Sequence, residues 1–243
     1  MSQAKQQLDA IRQRIVGPLP LIQHPVVQAR IKGEFTLDQL RRIEVQHYYE
    51  ARFFSTFVLN TIKACNDDIE TRKLMAENWV SEATGKDDHA TLILRLLDVL
   101  DVPREAAFQA EPTPGMAAWH SIEEQITSRC TFVEAVASLW IGEPEYPAVA
   151  RALYQAYRDV YKLPPEAIET YNTHAEHDPE HGNVEERIVL QAVEQDPSIL
   201  PRLERVCREA YWGYCYSFDG YWQAATGRHE FWSGTGPTFS AAG

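Results

Sequence analysis

Apolar residues recur along this chain at intervals of three and four, the spacing that lines one face of an α-helix. "AKQQLDAIRQRIV" reads as a first helix that stops at Gly17-Pro18, and "HPVVQARIKG" as a short second one in which Pro25 marks the first turn. Thr36 is placed to cap the long segment "TLDQLRRIEVQHYYEARFFSTFVLNTIKAC". A further helix is expected from Asp67 or Asp68 to Val102, bending near Gly85. After the proline-rich connection "PREAAFQAEPTPG", the pattern predicts one helix through "MAAWHSIEEQITSRCTFVEAVASLWIGE" and another through "YPAVARALYQAYRDVYKL". Two more, "PPEAIETYNTHAEHD" and "PEHGNVEERIVLQAVEQD", meet at Asp178-Pro179. A last aromatic helix begins at "PSILPRLE".

No stretch alternates as a strand does, so the expected fold is an all-α bundle of about seven main helices. Several of these helices are apolar over more than half their circumference, as central helices of a bundle are. No linker divides the chain, which gives one helical domain over 1–227 and an irregular tail over 228–243.

Composition narrows the partners. A formal charge of −12 over 243 residues argues against nucleic acid and anionic membranes, both of which need a basic face. Four scattered cysteines without a C-x-x-C pair, a polar N-terminus and no long apolar run fit a reduced, cytoplasmic protein.

The candidate chemistry lies in "YNTHAEHDPEHGN". His174, Asp178 and His181 stand at i, i+4 and i+7 on one helical face, and His177 is an alternative to His174. Glu82 and His89 stand seven apart, and Glu143 closes a long apolar helix where its carboxylate can point inward. Three carboxylates and three imidazoles, with no cysteine, suit iron or manganese better than structural zinc.

Glu82, His89, Glu143, His174, Asp178 and His181 together resemble the six-ligand pattern of the haem-oxygenase-like diiron oxidases and oxygenases. This group includes the chlamydial protein associating with death domains, with pyrroloquinoline-quinone-synthase-like and TenA-like proteins in the same superfamily. The resemblance runs from Leu21 to Gly227 and includes the helix opening on "HP" and the late "FDGYW" helix. It implies a seven-helix fold, two Fe(II) ions, O2 as co-substrate and a small amino-acid-derived substrate. The implied outcomes are oxidative C–C cleavage, desaturation or N-oxygenation, with an external electron donor and a homodimer as further expectations.

Chlamydial-type members make para-aminobenzoate from their own tyrosines, one of which directly precedes the middle glutamate. Gly142 occupies that place here, which favours an external substrate over self-sacrifice. Candidates for substrate contact are Tyr171, Arg158 and Trp140, with Arg151, Lys162 and Arg208 as other cations.

Three other readings remain on this fold. A cysteine hydrolase lacks its nucleophile, since Ser138 stands near that position and Cys130 lies two turns too early. A haem enzyme would draw on His24 or His47. A metal-independent oxidase or small-molecule-binding module needs none of the six donors. Pro179 and Gly182 lead us to expect a kink or a new helix capped by Asp178, and a segment that orders when metal arrives.

Overall fold

The computed structural model describes the backbone of residues 2–65, 69–83 and 88–232; the side chains of 78, 81, 82 and 176–183 also lie outside the description. Among the described residues all regular structure is helical. The helices are α1 (Gln3–Val16), α2 (Pro25–Lys32), α3 (Leu37–Ala64), α4 (Ile69–Ala83), α5 (His89–Val99) and α6 (Arg104–Phe108), then α7 (Pro114–Arg129), α8 (Phe132–Gly142), α9 (Tyr146–Asp159), α10 (Glu169–Gln195) and α11 (Leu200–Thr226).

Local chemistry sets most of these boundaries. Thr36 forms a capping box with Gln39 at the start of α3. Gly33 and Gly227 take left-handed conformations that close α2 and α11. Asp88 caps α5 through the Thr91 amide at 3.0 Å, which makes His89 the first residue of that helix. The count exceeds seven in part because two expected long helices divide and because α6 forms inside the stretch expected to be a proline-rich connection. One divides at the Thr131–Glu134 capping box, which opens α8 as a helix separate from α7. The other yields α4 and α5 as separate helices.

The opposite correction applies to α10, which stays helical through Pro179, so that of the two expectations, a kink or a new helix capped by Asp178, the new helix does not form. Proline lacks the N–H that would bond the carbonyl four residues back, that of Ala175. Arg151 on α9 supplies the missing donor, with its Nη2 3.3 Å from that carbonyl. Burial of Tyr171 and Ala175 before the proline, and of Ile188, Val189 and Val193 after it, anchors both halves.

Buried α8 and α11 form the centre. Every residue of α8 from Glu134 to Gly142 is buried, and α11 packs against α7, α8, α3 and α2. α10 packs on α9 and α8, and α3 on α7, α5 and α4. Where α7 meets α11, a Cβ at Gly115 would stand 2.3 Å from the Tyr216 carbonyl and 2.6 Å from the Gly220 nitrogen. Only a residue without a side chain permits that approach.

Two outcomes are expected in urea denaturation. Gly115→Ala should lose about 1–3 kcal/mol by overpacking two backbones. Arg151→Leu should lose a similar amount, about 1–3 kcal/mol, by leaving the Ala175 carbonyl without its donor, and Arg151→Lys should recover part of it.

Candidate metal centre and its cavity

A cavity of about 90 Å³ lies among α3, α5, α8, α10 and α11. His89, Glu143 and His174 line it from three separate elements: the start of α5, the 3-10 turn Glu143–Glu145 after α8, and α10. The His89 and His174 rings stand 4.2 Å apart, centroid to centroid, and Tyr146 meets His174 edge-on at 4.7 Å. Three expected donors, drawn from segments up to 85 residues apart, thus border one space.

Glu82 on α4, and Asp178 and His181 on α10, have side chains outside the described residues, as has His177, the alternative to His174. The expected metal-dependent ordering of residues 171–183 falls largely on those side chains too. Among the described residues no group of three or more His, Cys, Asp or Glu is arranged as a finished metal cluster. The donor chemistry nevertheless fits iron, with two imidazoles and a carboxylate facing a cavity that α10 also borders.

Behind this wall is a buried polar network that the spacing of the donors did not indicate. Arg30 on α2 donates to Glu44 on α3 at 2.7 Å, to the Tyr157 hydroxyl at 3.0 Å and to the Tyr171 hydroxyl. Tyr157 and Tyr171 in turn donate to Glu44 at 2.6 and 2.8 Å. Burial would raise the Glu44 carboxyl, but Arg30 and these hydrogen bonds outweigh it and hold the group down at about 2.

Glu44 is therefore an acceptor only, so the His47 Nδ1 that lies 2.9 Å away must carry the proton. Burial, with Arg30 and His174 nearby, lowers the His47 pKa and leaves a neutral ring. Its Nε2 lone pair then faces the Tyr146 hydroxyl at 3.4 Å, where both residues border the cavity. Glu50, two α3 turns after Glu44, borders the cavity as well and accepts from the Tyr221 hydroxyl. Burial pushes its carboxyl up to about 8.

Glu44, His47 and Glu50 stand three apart in "EVQHYYE", a helical spacing that could have indicated one face. Of the residues expected to touch substrate, Tyr171 is fully buried in the Arg30–Glu44 network. Trp140 is fully buried in α8, and Arg158 is exposed and paired with Asp159. None of the three borders the cavity. Arg151, Lys162 and Arg208 do not border it either.

His24 has a structural position: its Nδ1 caps α2 through the Val26 amide, and its Nε2 donates to Asp219 at 3.1 Å. Ser138 donates to the Ala135 carbonyl, and burial raises the Cys130 thiol. Gly142, in the cavity wall beside Glu143, lies under the Tyr214 ring, where an added Cβ would meet ring carbons at 2.2–2.6 Å.

Residues 41–213 match the family model described as "iron-containing redox enzyme", a span that includes all six expected donors. The chain belongs to the iron-containing redox enzyme family. Within it, the chain is 25% identical over 213 residues to the 4-aminobenzoate synthase of Chlamydia muridarum, covering 87% of this chain and 88% of the relative. It is 24% identical over 199 residues to that of Chlamydia trachomatis, covering 82% and 86%.

Among solved structures, a TenA homologue from Pseudomonas syringae pv. tomato superposes with a TM-score of 0.71 at 14% identity, over 91% of each chain. A CADD-like protein of unknown function from Nostoc punctiforme gives 0.70 at 13% identity, over 92% of this chain and 99% of that one. These likenesses show that this iron-containing redox enzyme has the haem-oxygenase-like, TenA-type fold. No helix among the described residues is long and apolar enough to cross a membrane.

Removal of Arg30 should show how tightly the network is bound. Arg30→Met leaves Glu44 buried without its counter-charge, an expected loss of about 3–5 kcal/mol at neutral pH. The folded Glu44 pKa lies below its unfolded value of 4.5, so its stabilisation is full above 4.5 and lost as pH falls towards 2. The gap between wild type and Arg30→Met, followed by urea denaturation across that range, should shrink with acidification.

Proposed function

We propose that this chain is a non-haem diiron oxidase or oxygenase that uses O2 to oxidise a small amino-acid-derived molecule. The observation that carries the reading is the meeting of His89, Glu143 and His174 on one cavity. Glu82, His89, Glu143, His174, Asp178 and His181 would hold two Fe(II) ions. When bound, the metals supply the reduction of O2 and the oxidising power, in concert with an external electron donor.

The chain's own residues position and move protons around that chemistry. Glu44 keeps the His47 Nδ1 protonated and turns the Nε2 lone pair to the cavity, where it can accept a proton through Tyr146. Glu50 holds a proton at the cavity wall at neutral pH and can release it. Phe54, Phe218 and Leu21 exclude water and present apolar surface to a substrate skeleton. Oxidative C–C cleavage, desaturation and N-oxygenation all fit such a site.

A second reading has its own support: the two Chlamydia relatives are named 4-aminobenzoate synthases. Under that reading the chain forms 4-aminobenzoate. Gly142 offers no side chain at the place where the family resemblance implies a sacrificed tyrosine, and the Tyr214 ring covers it instead.

Anaerobic loading with Fe(II) is expected to give about two irons per chain by metal analysis, the stoichiometry of carboxylate-bridged bundle centres. Asp178→Ala and His89→Ala should each lose about half of that iron, and wild type should consume O2 on exposure. A chain that binds less than about one iron, or whose activity survives exhaustive chelation, is instead a metal-independent oxidase of the same fold. Release of 4-aminobenzoate from the loaded protein alone, with a matching mass loss at one of its tyrosines, would favour the second reading.

A further inference from the structure

Six rings run in contact from the cavity wall to the surface. The His174 ring meets Tyr146 at 4.7 Å, centroid to centroid, and the Tyr146 hydroxyl lies 3.4 Å from the His47 Nε2. His47 stacks on Tyr171 at 5.5 Å with 30° between the ring planes. Tyr171 meets Tyr157 at 5.2 Å, and Tyr157 meets Tyr161 at 5.5 Å, both edge-on. Tyr157 and Tyr171 are fully buried, whereas Tyr161, just past the end of α9, is partly exposed.

Ring contacts of this kind are ordinary core packing. The hydrogen bonds of the middle pair set it apart. The hydroxyls of Tyr157 and Tyr171 donate to the same oxygen, Glu44 Oε1, at 2.6 and 2.8 Å. Either phenol can pass its proton over such a distance. Arg30 stands over both rings, 5.2 and 5.5 Å from their centroids. A positive ring is disfavoured beside a guanidinium, so a phenol that loses an electron here sheds its proton too, and Glu44 is in place to take it.

We propose that Tyr171 and Tyr157 are redox-active and, with Tyr161, form a one-electron route between the candidate metal centre and the surface. The proposal rests on the iron reading above and on an oxidant made there from O2. Tyr171 gives one electron to that oxidant and its phenolic proton to Glu44, and becomes a neutral tyrosyl radical. Tyr157 then gives one electron to the Tyr171 radical and its own proton to Glu44, while Glu44 returns the first proton to Tyr171. Because one carboxyl serves both phenols, the radical changes rings without changing the charge around Arg30. A one-electron reductant outside the protein delivers its electron through the Tyr161 ring, and the proton on Glu44 goes back to the Tyr157 oxygen. Each turn consumes one electron from the reductant and restores every proton. Tyr161 shares no hydrogen bond with Glu44, so it conducts the electron and is not where the radical rests.

The test uses the full chain, freed of metal by chelation, with flash-generated ruthenium(III) tris-bipyridine as the oxidant in solution. Samples frozen at successive times are read by electron paramagnetic resonance. Wild type should build up a long-lived tyrosyl signal. Tyr157→Phe and Tyr171→Phe should each keep it on the remaining tyrosine, and the double variant should lose it. Tyr161→Leu should slow the build-up about ten-fold, equivalent to about 1.4 kcal/mol in the barrier. That variant lies at the surface and tests the route even where the double variant does not fold. No long-lived signal in wild type, an unchanged one in the double variant, or an unchanged build-up in Tyr161→Leu would each overturn the proposal. In the iron-loaded chain, O2 without substrate should raise the same signal, and its absence from a chain that holds iron and consumes O2 would overturn the link to the metal. Because the first experiment needs no iron, its failure leaves the diiron reading intact, and failed iron loading leaves the route from Tyr161 to Tyr171 standing.

Discussion

The buried ion pair between Arg30 and Glu44 is the constraint on which the site depends. It ties α2 to α3, and through Tyr157 and Tyr171 it ties both to α9 and α10. A guanidinium and a carboxylate are tolerated at such depth only when nearly every remaining donor and acceptor is answered. Two tyrosine hydroxyls and one imidazole do that here. The same bonds decide which nitrogen of His47 carries its proton and which way the ring points. A stabilising network and a proton-handling residue are therefore one structure, and the helix bearing His174 is fastened to it one turn earlier, at Tyr171.

Electrostatics then divides the interior into two regions. Around Arg30, charge is balanced and the carboxyl is firmly ionised. Around Tyr214, carboxyls collect where no Lys or Arg lines the cavity among the described residues, and burial pushes Glu50 and Glu123 up, both to about 8. The contrast arises from partners, since both regions are buried in one core. It places an ionised carboxylate where orientation matters and neutral acids where a proton can be handed over.

Much of the fold was legible along the chain because caps and terminators act locally. Thr36, Gly33 and Gly227 each end or begin a helix through contacts within a few residues. The break before α8 was legible too, as Thr131-x-x-Glu134, although the run of apolar residues around it suggested continuity. The passage of α10 through Pro179 was not legible, since the replacement donor, Arg151, lies on another helix. In the site, ligand-type spacing pointed to His89, Glu143 and His174, which do border one cavity. The Arg30 network escaped notice because its contacts join residues as far as 141 apart. No local rule says which arginine a core will enclose.

Gly142 and Tyr214 occupy the same volume from two sides of the cavity wall. Any side chain introduced at 142 collides with the ring at 214, and shrinking 214 alone opens a hole beside Glu143. The two positions are therefore exchangeable only as a pair. Such a pair works as a latch: a side chain added at 142 must displace the ring at 214, and removal of the ring leaves its space unfilled. With glycine at 142, it is α11, through Tyr214, that brings a phenol ring to the cavity wall beside Glu143.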